Sequence, residues 1–229
     1  MGAEAVLILR RSIFLCVLPG VLILAGCKLP GQSSFRQAEE TAKPIIVKQP
    51  VNFSTRTFDP ASPPADMPPL PSGETAECDT DFQSNASVSG QSVQTDATHA
   101  TLTITQVKVT LDLIVTVWVP MDASQHVIEH EDGHRQISEY YYQTAGKTAE
   151  RIAASYIGKQ VIISGADLHA ESSKALQQMG AEITDEYIKE LNPEPAQLLY
   201  DSITDHSRNE VVAKEAVDHA IKNVAIEAN

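Results

Sequence analysis

The chain has 229 residues, a formal net charge of −13 and a pI near 4.9. That balance excludes nucleic acid as a partner, because a phosphate backbone calls for a basic stripe. It also excludes attachment to anionic lipid heads by charge alone, which calls for a polybasic patch. Three cysteines, Cys16, Cys27 and Cys78, are too few for a disulfide framework, so an ordinary core, with or without a metal, has to supply the stability.

Residues 1–27 read as a bacterial lipoprotein signal peptide. Arg10 and Arg11 form the positive start, residues 12–24 an apolar stretch, and Leu24-Ala25-Gly26-Cys27 the small-residue box cut before the cysteine. The apolar run is shorter than the ~20 residues a membrane span needs, and Pro19 interrupts it. Cys27 is then the lipidation site, and the lipid is the contact with the membrane. Lys28 follows it in place of an inner-membrane retention aspartate, which points to an outer-membrane lipoprotein facing the periplasm of the cell envelope.

Residues 28–76 show no sustained periodicity and are dense in proline from Pro60 to Pro71. They are expected to form a disordered tether, although Ile45-Ile46-Val47 and Val51-Asn52-Phe53 offer material for a strand. The folded domain is expected at 77–229, a common size for one domain. Residues 84–93 suit a short strand. From Val107 to Val119 every odd residue is apolar, the period-2 mark of a half-buried strand, with a break possible near Asp112 and a stop at Pro120. A helix follows, capped by Ser124 and stopped by Gly158, with His130, His134, Ile137, Tyr141 and Ala145 on one stripe. Val161-Ile162-Ile163 is a short apolar run. A second helix starts near Asp167 and ends at Asn192-Pro193-Glu194-Pro195. Ser207 to Glu210 spells a capping box for a last helix. The expected fold class is α+β, with N-terminal antiparallel strands followed by a helical, zincin-like core.

The chemistry centres on His130-Glu131-Asp132-Gly133-His134. Two histidines four apart on a helix point the same way and can bind one Zn²⁺. Glu131, about 100° further round, sits beside such an ion as a general base. Gly133 leaves room for another chain to approach. A catalytic zinc site uses three protein ligands plus water, and the third must come from elsewhere. His206, a loop imidazole just before the expected last helix, is one candidate, and Glu182 on the second helix is the other. Asp201 or Asp205 can orient a ligand histidine through its second nitrogen. Tyr200 and Arg208 can donate to a developing oxyanion. The strand 107–119 can pair with an extended peptide at the cleft.

His130-Glu131-Asp132-Gly133-His134-Arg135, taken with Tyr200-Asp201-Ser202-Ile203-Thr204-Asp205-His206, resembles the predicted secreted zinc-dependent proteases of domain-of-unknown-function family 922. The likeness covers residues 77–224. It implies His206 as the third zinc ligand, beside His130 and His134. One position departs: the family usually places glycine after that histidine, and here Ser207 stands there. The expected function is a lipid-anchored zinc metallopeptidase acting on a peptide or protein, with Glu131 as base and Tyr200 or Arg208 steadying the oxyanion. The alternative is a non-catalytic zinc-binding envelope lipoprotein that serves structure or partner recognition.

Overall fold

Alternation of apolar and polar side chains makes one long strand the spine of this protein. The structure, a computed structural model, describes residues 42–70 and 73–227. In chain order the elements are β1 (Ile45–Lys48), β2 (Asn52–Phe58), β3 (Glu77–Gln94), β4 (His99–Pro120), α1 (Gln125–Tyr156), β5 (Gln160–Ser164), α2 (Leu168–Glu190), α3 (Glu194–Thr204) and α4 (Ala213–Glu227). The signal peptide and Cys27 lie outside the described residues. No described helix is long and apolar enough to cross a membrane.

The spine is β4, which buries Val107, Val109, Leu111, Leu113, Val115, Val117 and Val119 on one face. It runs unbroken through Asp112, which pairs with Gln83. The irregularity lies earlier. Ala100, Leu102 and Ile104 are the buried residues there, so the core parity switches from even to odd. The ladder shifts at that point: Ser89 faces Gln106 while Gly90 faces Ile104. One extra residue in β4 resets the alternation so that both halves serve the same core.

Both edges of β4 are occupied. β3 pairs antiparallel along almost its whole length. On the other side β5 (antiparallel), β1 and β2 (both parallel) follow one another along β4. The fold is therefore mixed α/β, and its two most N-terminal strands are parallel to β4 instead of antiparallel as expected. The connection explains this. Phe58 faces Pro120 and Glu77 faces Trp118, so the described residues between them, 59–70 and 73–76, belong to a connection from one edge of the sheet to the other past the end of β4. The expected tether is thus part of the fold from β1 onward, and the folded unit begins earlier than Glu77. Its prolines suit a strap that needs no ladder hydrogen bonds. Arg56 ties the strap down: its guanidinium lies 4.1 Å over the Trp118 ring and donates to Asp66 at 2.6 Å. With neither edge free, β4 cannot pair with a peptide.

Ser124 caps α1, its Oγ accepting from the Val127 N–H at 3.3 Å, and Gly158 follows the helix at φ +83. One side of α1 packs on β4, where Tyr142, Ala145, Ala149 and Ile152 join the sheet core. The other side meets α3 and α4 in a second core of Ile137, Ala196, Tyr200, Ala216, Val217 and Ala220. Asp167 caps α2. α3 is an element that the proline-rich break at 193–195 conceals, because proline in the first turn starts a helix as readily as it stops one. α4 begins at Ala213. Ser207 is not its cap, since its φ of 62 is left-handed.

Candidate metal centre

The centre forms where α1, held between two cores, meets α3. His130 and Glu131 are both 3% exposed. Close approach of α3 depends on Gly133: a β-carbon there would lie 2.2 Å from Tyr200 Oη. The chain that Gly133 admits is α3 itself. The Tyr200 ring stacks on His130 (5.0 Å, 19°) and meets His134 edge-on (4.8 Å, 85°), and its hydroxyl donates to the His130 carbonyl at 3.1 Å.

Next in sequence, Asp201 faces both imidazoles. Its Oδ1 is 2.8 Å from His134 Nε2 and 3.4 Å from His130 Nε2, and the two Nε2 atoms are 3.2 Å apart. Donors bound to one tetrahedral zinc at ordinary distances would be about 3.3 Å apart. The three atoms form a triangle of that size, and two imidazoles with a carboxylate are a donor set zinc accepts. These groups are close enough to hold a metal ion. Gln197 fixes one of them: its Oε1 is 2.6 Å from His134 Nδ1, and its Nε2 donates to the His134 carbonyl at 3.1 Å and to Ser138 Oγ at 2.9 Å. A proton held on Nδ1 leaves Nε2 free as a donor atom to a metal.

A second grouping overlaps the first. Ligand atoms of Glu74, His130 and Glu131 lie within 4.8 Å of one another. Glu74 comes from the strap, just before β3, and it also engages His206 Nδ1. Glu74, Glu77, Cys78 and Thr80, with the α1 and α3 residues and His206, enclose a cavity of about 340 Å³.

Charge and burial oppose each other here. Burial pushes the Glu131 carboxyl up to about 8; His134 draws it down, while Glu77, Glu74 and Asp201 push it further up. Burial likewise raises Glu77. At Asp201 burial is outweighed by the facing imidazoles of His130 and His134, which hold its carboxyl well below the usual carboxylate range. Burial would lower His134, but Asp201, Glu131 and Gln197 reverse that and raise it. The result is a pocket of crowded carboxylates whose repulsion a cation would relieve.

The structure brings His130, Glu131 and His134 together as expected from their spacing. It places Asp201, not His206, at the third corner. His206 lines the same cavity, half-exposed, with Nδ1 4.0 Å from Asp201 Oδ1. Tyr200, expected to face an oxyanion, is fully buried and spends its hydroxyl on the His130 carbonyl. Arg208 is turned to Asp205, donating to its carbonyl and carboxylate at 2.9 and 2.8 Å, and does not line the cavity. Glu182 sits exposed on α2, bonded to Gln178. Gln197 and Glu74 carry no motif, and only the meeting of α1, α3 and the strap gives them a place.

The second motif now has a physical account. Tyr200 is the wedge against Gly133, and Asp201 supplies the carboxylate. Thr204 Oγ1 donates to the Tyr200 carbonyl at 2.8 Å and closes the helix end. Asp205, His206 and Ser207 then all take positive φ (46, 53 and 62), a left-handed turn that folds His206 back toward the cavity. Searches against family models, curated proteins and solved structures give no match for this chain.

Proposed function

We propose that this protein is a zinc-dependent peptidase of the bacterial cell envelope, anchored through lipid on Cys27. The observation that carries the reading is the triangle of His130 Nε2, His134 Nε2 and Asp201 Oδ1 with the Glu131 carboxyl buried beside it. His130, His134 and Asp201 would hold the ion, and His206 stands near enough to join or replace Asp201. Zinc held there would supply Lewis acidity, acidifying a water molecule and polarising a scissile carbonyl. Glu131, whose ionised form a cation at the histidines would favour over the crowding of Glu77, Glu74 and Asp201, takes the proton of the attacking water on a carboxylate oxygen. It then returns that proton to the amine as the C–N bond breaks. An extended peptide would lie along β3, which lines the cavity with Glu77, Cys78 and Thr80 and pairs with no strand but β4 among the described residues. The proteases of domain-of-unknown-function family 922, with their similar pair of motifs, are the family proposed for this chain.

The test is Glu131→Gln on protein carrying stoichiometric zinc. The variant should keep its zinc and lose peptide hydrolysis. Zinc at 100 times its Kd should also stabilise the wild type by about 2.7 kcal/mol. Zinc retention without hydrolysis in the wild type would favour the non-catalytic reading, and failure to bind zinc would end both.

A further inference from the structure

A second cavity, of about 660 Å³, shares Glu74 with the metal centre as a common wall. Its lining is mainly apolar: Phe58, Met67, Leu70, Pro120, Ala123 and Val127 come from the end of β2, the strap, the end of β4 and the start of α1. Val127 fixes the relation between the two cavities. It lies three residues before His130 and seven before His134, on the same stripe of α1. The point between the histidines lies ~7.5 Å along the helix from Val127, and one residue of extended peptide spans ~3.4 Å, so a group held in this cavity belongs to a residue within about two positions of a bond placed over the histidines.

The geometry points to a specificity pocket. The cavity receives a bulky apolar side chain, of the size of Leu, Met or Phe, from a peptide residue within about two positions of the scissile bond. Among the described residues, no lining side chain of opposite charge is available for a basic residue except Glu74 and Asp122 at the wall, and Glu74 is already engaged by His206. A small side chain would bury little apolar surface against these walls and forgo most of the gain from burial. The strap is therefore substrate-binding structure, which accounts for a proline-rich segment held in a fixed course beside the site. The inference rests on the peptidase reading and extends it to substrate class.

The test uses the zinc-loaded full chain and a peptide library, with cut sites read by mass spectrometry. Leu, Met or Phe should dominate at one position within about two residues of the cut, by at least ~10-fold in kcat/KM over Ala or Gly. Met67→Trp and Ala123→Leu, which narrow the cavity from opposite walls, should each shrink that ratio. Cleavage without such a preference, or a ratio that neither variant moves, overturns the pocket and leaves the peptidase standing. Should no peptide be cut, the peptidase reading fails and the pocket is judged by NMR with N-acetyl-phenylalaninamide. Shifts of the Met67 and Val127 methyls that Met67→Trp abolishes support it, and the absence of shifts at millimolar ligand overturns it.

Discussion

The ring of Tyr200 fills the space that any side chain at Gly133 would need. A β-carbon at 133 would lie 2.2 Å from Tyr200 Oη and 2.4 Å from Cζ, and Tyr200 is wholly buried between α1 and α4. The ring cannot swing away without opening the second core. Gly133→Ala should therefore cost about 1–3 kcal/mol as an overpacking change, measured by urea unfolding. It should also weaken zinc binding, because the displaced ring packs against both histidines and carries Asp201 with it. A variant with wild-type stability and zinc affinity would show that the two helices are not locked by this contact.

Gln197 tests whether the centre is built for a metal or only for packing. Its Oε1 holds His134 Nδ1 at 2.6 Å, so removing it frees the imidazole to rotate and change tautomer. Gln197→Ala should lower zinc affinity by ~10–100-fold, read by competition with a chromogenic chelator. Gln197→Glu, which keeps the acceptor oxygen, should recover most of the loss. Equal affinities in all three proteins would mean that His134 is oriented by something else.

Much of this centre was legible as sequence, and what was not has a common cause. Strand β4 showed in the alternation from Val107 to Val119, but its irregularity, expected near Asp112, lies after Ile104 where the buried parity changes. Ser124 and Gly158 mark the two ends of the site helix, and the spacing of His130 and His134 puts them on one face. These are local properties of the chain. The course of the strap between β2 and β3 is not local. β1 and β2 become parallel to β4 only because the strap crosses the sheet end, a pairing no short segment encodes. α3 was hidden because Pro195 serves equally as the stop of one helix and the first turn of the next. The choice between Asp201 and His206 hangs on the left-handed turn at 205–207, which three non-glycine residues do not announce.

That turn carries its own prediction. Ser207 adopts φ 62, a conformation that costs L-residues with a β-carbon roughly 1–2 kcal/mol and glycine almost nothing. Ser207→Gly should stabilise the protein by about 1 kcal/mol after allowing for the added freedom of the unfolded chain. His206 should stay in the cavity, so zinc affinity should hold while the unfolding midpoint rises. Loss of stability in this variant would mean that the Ser207 hydroxyl supports the turn by more than the backbone costs.

Cys78 lines the same cavity as the histidines but should be chemically quiet. Burial pushes its thiol well above the usual range, the nearby carboxylates of Glu131 and Glu77 raise it further, and Arg135 opposes them only in part. The thiolate is the nucleophile, and each unit of upward shift removes about a factor of ten from its population at fixed pH. Iodoacetamide labelling at pH 8, followed on the Cys78 peptide by mass spectrometry, should therefore run at least ~10-fold slower in the folded protein than in denaturant. Raising the pH to 9 should accelerate the unfolded chain only until its thiol is fully ionised. The folded protein should remain slow in absolute terms at both values, since its thiol stays protonated. Rapid labelling of folded Cys78 at pH 8 would mean that the sulfur is not held away from water, nor pressed by Glu131 and Glu77, as its place in the cavity requires.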